Sequence, residues 1–140
     1  MSGFTLSTTC PLPFDESVEL AREALAESGF GVLTAIDLRA TFAEKIGEEI
    51  PPEVILGACN PRFAFASTQA EPSVAALLPC NVVVRALDED STLIEVFDPA
   101  SMGRLAGDGS PGLAAIVEDV RGLLLEVMRR IDERSNPEEG

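Results

Sequence analysis

The run NVVVRALD at positions 81–88, followed by Glu89-Asp90 and by STLIEVF at positions 91–97, decides the fold of this chain. Each run is rich in β-branched and apolar residues, and two acidic residues separate them, which is a pattern typical of a β-hairpin. Strands joined by so short a loop pair antiparallel. The sheet that contains this hairpin is therefore at least partly antiparallel.

Strand-like and helix-like segments alternate before the hairpin. The predicted elements are a strand at 4–9, a helix at 15–28, a strand at 31–38, a short helix at 39–46, a strand at 53–59, and two short helical pieces at 62–70 and 73–78. Pro72 separates the last two pieces, because the residue before a proline is displaced from the helical region. The segment EVILGAC at 53–59 is nearly all apolar and is predicted to be a central strand buried on both faces.

After the hairpin, the chain is predicted to form a turn, then a loose, irregular segment, and then one long helix. Asp98-Pro99 is the predicted turn, and 103–112 is the loosest segment because it holds four Gly and one Pro. The helix is predicted over 111–133, where apolar residues recur at spacings of four and three. These residues are Leu113, Val117, Val120, Leu124, Val127 and Ile131. A stripe of this kind normally packs against a sheet.

The order of elements, β-α-β-α-β-α-β-β-α, predicts a two-layer α+β domain. Alternating strands and helices allow parallel pairing, whereas the hairpin requires antiparallel pairing, so we expect a mixed, mostly antiparallel sheet. The first and last helices should pack on one face of this sheet. A chain of 140 residues fits one domain, predicted over 1–135, and 136–140 is a polar tail.

Composition excludes several classes of function. The net charge of −14 opposes contact with nucleic-acid phosphates and with anionic membrane surfaces, and no apolar run approaches the ~20 residues of a membrane span. Without His there is no histidine general base, no Cys-His nucleophile pair and no His-ligated zinc. Three Cys is an odd count, and the N-terminus lacks a signal-peptide pattern, so we expect a cytoplasmic protein with reduced thiols.

Several stretches of the chain, read together, carry a resemblance to a known family. They are 29–34, Ile36-Asp37, 54–61, 69–72, 77–84 and Asp98-Pro99 with Met102. They resemble the small bacterial and archaeal domain of unknown function 302, over about 4–130. The resemblance implies a fold similar to that of the TATA-box-binding protein, in strand-helix-strands-helix order, and it implies a homodimer. It implies no activity, substrate or cofactor, because none is established for that family.

The candidate chemistry lies in two Cys-Asn segments. Cys59-Asn60 ends one predicted strand, and Cys80-Asn81 begins another. A single helix between these strands would make them parallel and would put the two thiols at opposite ends of the sheet. Because Pro72 breaks the connection into two short pieces, an out-and-back path is favoured. The strands would then be antiparallel neighbours, with Cys59 and Cys80 at the same end.

Two neighbouring thiols allow three kinds of chemistry. They can form a reversible dithiol, which needs Cα atoms within about 7 Å, or bind a soft metal such as Cu(I) or zinc, or act as one reactive thiol beside a bystander. The competing interpretation is that both thiols pack as small apolar groups, as buried Cys commonly do. Because His is absent, further metal ligands would have to come from Glu71, Asp98 or water.

Three neighbouring polar residues complete the predicted ligand-binding site: Asn60, Asn81 and Glu71. Each also has a structural explanation, since Asn60 suits a helix N-cap, Asn81 a turn and Glu71 a solvated surface. The predicted site is therefore Cys59 and Cys80 together with these three residues. No motif identifies a cofactor.

Three hypotheses for function remain open. The first is a non-enzymatic, homodimeric module that binds a small apolar ligand or a soft metal ion near the two Cys-Asn segments. The second is a thiol-based redox enzyme or sensor that uses Cys59 and Cys80. The third is a structural or regulatory interaction domain without a ligand. Neither a nucleic acid nor a membrane is expected as a partner.

Overall fold

The computed structural model describes residues 3–106 and 111–136. It contains five strands, five α-helices and a short 3₁₀-helix over Pro72–Leu77. The strands are β1 (Thr5–Cys10), β2 (Gly31–Asp37), β3 (Glu53–Cys59), β4 (Cys80–Asp88) and β5 (Ser91–Phe97). The α-helices are α1 (Phe14–Glu27), α2 (Leu38–Ile46), α3 (Pro61–Ala70), α4 (Pro99–Ala106) and α5 (Pro111–Ser135).

The five strands form one sheet in the order β1-β5-β4-β3-β2. Every described pairing is antiparallel, so the parallel portion that the alternating pattern allowed is absent from the sheet described here. The predicted α+β class is confirmed. The predicted order of strand, helix, strands and helix corresponds to β1, α1, the strands β2 to β5, and α5. The prediction that β3 is a central strand buried on both faces is wrong in part. β4 is the central strand, and β3 is only half-buried over Glu53–Ile55, because α1 and α5 pack mainly over β1, β4 and β5.

The predicted hairpin joins β4 to β5 through Glu89-Asp90, with Val84 opposite Ile94. Val84 and Ile94 are both fully buried. They point to the same face as Val82 and Val96, since side chains alternate along a strand. This apolar face of the hairpin forms the sheet side of the main hydrophobic core.

Helices α1 and α5 pack against this apolar face of the sheet, as the apolar stripe in the last helix predicts. Leu25 from α1 and Leu124, Val127 and Ile131 from α5 belong to the same buried cluster as the strand residues. Burying a Leu or Ile side chain contributes roughly 1.5–3 kcal/mol. The first and last helices therefore hold the sheet in a two-layer arrangement.

Helix α4 was not predicted, because Asp98-Pro99 was interpreted as a turn. The Asp98 carboxylate accepts a hydrogen bond from the Ala100 N–H at 2.9 Å, which caps the helix, and Pro99 occupies its first position. Residues 103–106 of the segment predicted to be loose are the end of α4, and 107–110 lie outside the described residues. Of the predicted tail, Asn136 follows α5, and 137–140 also lie outside the described residues.

A second, smaller hydrophobic cluster lies beyond the end of the sheet. Its buried members are Val74 of the 3₁₀-helix, Met102 of α4 and Leu113 of α5, and Phe97 at the end of β5 packs against them. Within the described part of the chain, no helix has the length and apolarity that a membrane span requires.

Candidate functional site

The pairing of β3 with β4 brings the two predicted thiols to one end of the sheet. Ala58 lies opposite Cys80, and Cys59 is the next residue and the last of β3. Between them the chain runs out along α3 and returns through the 3₁₀-helix, which ends at Leu77. The out-and-back connection predicted from Pro72 is thus confirmed, and so are antiparallel strands with both Cys at the same end.

Both thiols line one small, partly open cavity at this end of the sheet. Its volume is about 30 Å³. The walls come from both hydrophobic clusters, with Phe30 and Ala58 from the main core and Met102 from the second cluster. The remaining lining residues are Asn60, Phe63, Ala64, Ser67, Leu78, Phe97, Pro99, Ile116, Val117 and Val120. The lining is mainly apolar, with the two thiols at the junction between the two clusters.

Two side-chain oxygen atoms of the cavity wall are already hydrogen-bonded. The Asn60 side-chain oxygen accepts from the Phe63 N–H at 3.4 Å, which caps α3, and the Ser67 hydroxyl donates to the Phe63 carbonyl at 2.7 Å. Across the described residues, no buried side-chain nitrogen or oxygen lacks a partner. These two oxygens are engaged in local hydrogen bonds of α3, whereas the lining also carries the sulfur atoms of Cys59, Cys80 and Met102.

Burial shifts the acidity of one of the two thiols strongly. Cys80 is 9% exposed, and this burial, together with the neighbouring Cys59, raises the pKa of Cys80 to about 11. Burial penalises the thiolate because a low-dielectric surrounding disfavours charge, and a second thiolate close by repels it. Cys80 is consequently a neutral thiol at neutral pH, and a cation between the two sulfurs would relieve that repulsion.

Two residues of the predicted site lie away from the cavity. Asn81 is exposed and lies opposite Gly57, one residue along from Cys80 and so on the other face of the sheet. Glu71 accepts a hydrogen bond from the Ser73 N–H at 3.2 Å and caps the 3₁₀-helix. Of the five predicted residues, the structure brings three together at the cavity: Cys59, Asn60 and Cys80.

Met102 is a cavity residue to which sequence reasoning gave no role. It is 5% exposed and lies on α4, the helix that was not predicted. The signal that could have found it is Asp98-Pro99, which repeats the N-cap and first-position proline of Asn60-Pro61. A helix starting there carries Met102 one turn past its cap, against the end of the sheet.

The third cysteine, Cys10, lies at the opposite end of the sheet. Cys10 pairs with Thr92, and Thr92 pairs with Ala86. Ala86 is six residues along β4 from Cys80, a separation of roughly 20 Å at the rise of a strand. Burial raises the pKa of Cys10, and this effect outweighs the hydrogen bonds with Ser135 and Ser17, which act to lower the pKa. Cys10 is a core residue that offers an internal control for the other two thiols.

The acidic residues Asp37 and Asp98 serve as helix caps. Asp37 accepts from the Ala40 N–H at 2.9 Å at the start of α2, whereas Asp98 lies at the other end of the sheet. Arg121 of α5 contacts the Asp98 carboxylate at 2.9 Å. Burial alone would raise the pKa of Asp98, but the hydrogen bonds from Arg121 and the Ala100 N–H outweigh it and lower the pKa. This contact ties α4, and with it one wall of the cavity, to α5.

Ligand sets typical of zinc or of hard cations are not found at this site. In residues 3–106 and 111–136, no group of three or more His, Cys, Asp or Glu side chains is placed to hold a metal ion. Cys59, Cys80 and Met102, whose sulfur atoms are of soft character, line the cavity.

Comparison with known proteins relates the chain to one family and to solved structures. The family model described as domain of unknown function DUF302 matches residues 6–131. No curated protein matches the chain. The crystal structure of an uncharacterized conserved DUF302 protein from Bacillus stearothermophilus is similar, with a TM-score of 0.83 and 28% sequence identity. The match covers 93% of this chain and 99% of the Bacillus chain.

Proposed function

The chain belongs to the DUF302 family, whose function is unknown, and we propose from the site alone that it is a non-enzymatic binding domain for a soft metal ion. In this proposal one Cu(I) ion is held between the thiolates of Cys59 and Cys80. The single observation that carries it is that both thiols line one small, mainly apolar cavity. Thiolate ligands select Cu(I) over hard cations.

The size of the cavity favours an ion over an organic ligand. Pockets that enclose drug-sized molecules have volumes of roughly 300–1,000 Å³, whereas this cavity measures about 30 Å³. A metal ion fits this space without displacing a wall. A small apolar ligand, the other occupant expected from the sequence, would have to lie largely outside it.

Met102 supplies a third sulfur to the proposed site. Its thioether is a soft ligand that needs no deprotonation, and it lines the cavity together with the two thiols. Two thiolates and a thioether suit Cu(I), which needs fewer ligands than the four of structural zinc. The monovalent ion would also neutralise part of the charge that burial penalises at Cys80.

The offset between the two thiols favours metal binding over a redox dithiol. Cys80 is opposite Ala58, so Cys59 stands one position away, at the last residue of β3, and the two thiols are not directly opposite each other. A disulfide needs Cβ atoms that point toward each other and an S–S distance of about 2 Å. A bound ion bridges sulfurs that stand farther apart than a disulfide allows.

The expected partner and compartment complete the proposal. The domain acts as a homodimer, as the family resemblance implies, and it works in the cytoplasm, where thiols stay reduced. Neither a nucleic acid nor a membrane is a proposed partner, because the net charge of −14 repels phosphate.

Anaerobic titration of the reduced protein with Cu(I), against a competing chelator, tests the proposal. We expect one ion per chain, with affinity at least about 100-fold lower in Cys59→Ala and in Cys80→Ala. Cys10→Ala is the matched control and should bind as the wild type does. Thermal unfolding of each variant checks that the fold persists.

Three outcomes would overturn the metal proposal. Binding that survives in the Cys59→Ala/Cys80→Ala double variant would place the ion elsewhere. An organic molecule retained in native mass spectra of protein purified without chelator would support the small-ligand hypothesis instead. A Cys59–Cys80 disulfide that forms rapidly on mild oxidation and reverses with a thiol reductant, in protein that does not bind Cu(I), would support the redox hypothesis.

A further inference from the structure

Strand β2 forms one edge of the sheet and is exposed on both faces. It pairs with β3 along one side, and no other described strand pairs with its second side. Six of its seven residues are exposed, including Leu33 at 68% and Ile36 at 48%. The helix that follows, α2, has no buried residue, and Ile46 at its end is 67% exposed. These apolar side chains make β2 and α2 together, over 31–46, an uncovered surface.

Two devices that usually protect an exposed edge, Lys and Pro within the strand, are missing from β2. Proteins commonly prevent such an edge from pairing with another chain by placing Lys, Pro or charged residues within the strand. The sequence GVLTAID contains neither Lys nor Pro, and its one charge, Asp37, caps α2. The irregularity between Val32 and Thr34 is a further such device, but residues 34–37 beyond it keep a regular register with β3. A free backbone edge with exposed apolar side chains is the arrangement that accepts another strand.

Charge indicates that the added strand comes from a second copy of this chain. Two copies with a net charge of −14 each repel one another over most of their surfaces. Segment 31–46 is different, because its charged residues are two acidic and two basic: Asp37, Glu44, Arg39 and Lys45. The repulsion between copies is therefore weakest where the apolar side chains are exposed.

We infer that two copies pair antiparallel along β2, so that their sheets continue into one another across a two-fold axis. Leu33, Ile36 and Ile46 then pack at the junction, and the free backbone groups of each β2 find partners. This inference rests on the homodimer of the proposed function and adds where the copies meet. Gly31, at the start of β2, pairs with Cys59, but Ile36 pairs with Ile55, four residues along β3 from Cys59, so metal binding does not require the junction formed by Ile36.

Light scattering coupled to gel filtration, on the full chain, tests this interface. We expect the wild type to elute with twice the mass of 14.8 kDa. Ile36→Glu and Leu33→Glu should elute as monomers at the same concentration, because each puts a charge into the junction. The matched control is Leu125→Glu, at an exposed apolar residue of α5, which should stay dimeric.

Each alternative result has a distinct meaning. A wild type that is monomeric at 100 μM or more would overturn the homodimer itself. A dimer that persists in both β2 variants would overturn only the location of the interface. The monomeric variants should keep their thermal unfolding transition and the wild-type affinity for Cu(I), which separates this inference from the metal proposal.

Discussion

Cys59 ends β3 one residue beyond the partner of Cys80, the first residue of β4. This relationship puts two thiols from different strands against one cavity, while Asn60 turns the chain into α3. It also explains the acidity of the site, because burial and the neighbouring Cys59 both oppose ionisation of Cys80. The chemistry proposed for the domain follows from these two positions.

Protein stability should fall at alkaline pH because of Cys80. The folded state raises the pKa of Cys80 from 9.0 to about 11, so it binds the thiol proton more tightly than the unfolded chain does. This contribution is fully present below pH 9, is lost as the pH rises to about 11, and amounts to about 2–3 kcal/mol. The chain has no Tyr, so few other groups titrate in this range.

Chemical denaturation between pH 7 and 11 measures this loss of stability. The alkaline loss should be clearly smaller in Cys80→Ala than in the wild type. Asn81→Ala, at the exposed neighbour, should behave as the wild type. An identical loss in all three proteins would mean that Cys80 does not titrate as described.

Met102→Leu should weaken Cu(I) binding without unfolding the domain. A swap of Met for Leu conserves volume and usually costs less than about 1.5 kcal/mol. We expect affinity for Cu(I) to drop at least about tenfold, as ligand-shell changes commonly produce, with one ion per chain still bound by the thiolates. Met128→Leu, in the main core, is the control. Equal affinities for Cu(I) in the two variants would mean that Met102 only packs against the cavity and does not bind the ion.

Adjacent leucines on α5 should differ sharply in their effect on stability. Leu124 is fully buried in the main core, whereas Leu125 is 44% exposed. Leu124→Ala should lower the free energy of unfolding by about 2–5 kcal/mol, because it leaves a cavity. Leu125→Ala should change it by no more than about 0.5 kcal/mol. Equilibrium denaturation of both variants checks the orientation of α5, and equal effects would contradict it.

Much of the fold was predictable because its elements carry local signals. The hairpin at 81–97 has β-branched runs with a two-residue acidic loop, and the stripe on α5 has helical spacing. Both arise from residues close together in sequence. The edge position of β2 was not predictable in the same way, since GVLTAID is as apolar as a buried strand and only the order of strands in space exposes it.

The site was predictable in part for a similar reason. Pro72 limits the path between Cys59 and Cys80, so their meeting follows from chain length and helix rise. Asn81 and Glu71 were included because they lie near the thiols in sequence, but the alternation of the strand and the cap of the 3₁₀-helix direct them elsewhere. Met102 comes from a helix about 20 residues later, and its place in the cavity depends on tertiary packing.

X-ray absorption at the copper edge of the Cu(I)-loaded protein tests the central claim most directly, because it reports the atoms bound to the metal. The account predicts a shell made of sulfur alone, contributed by Cys59, Cys80 and Met102. The shell should lose sulfur in the Cys59→Ala/Cys80→Ala double variant and stay unchanged in Cys10→Ala. A shell of nitrogen or oxygen in the wild type, or a sulfur shell that persists in the double variant, would contradict it.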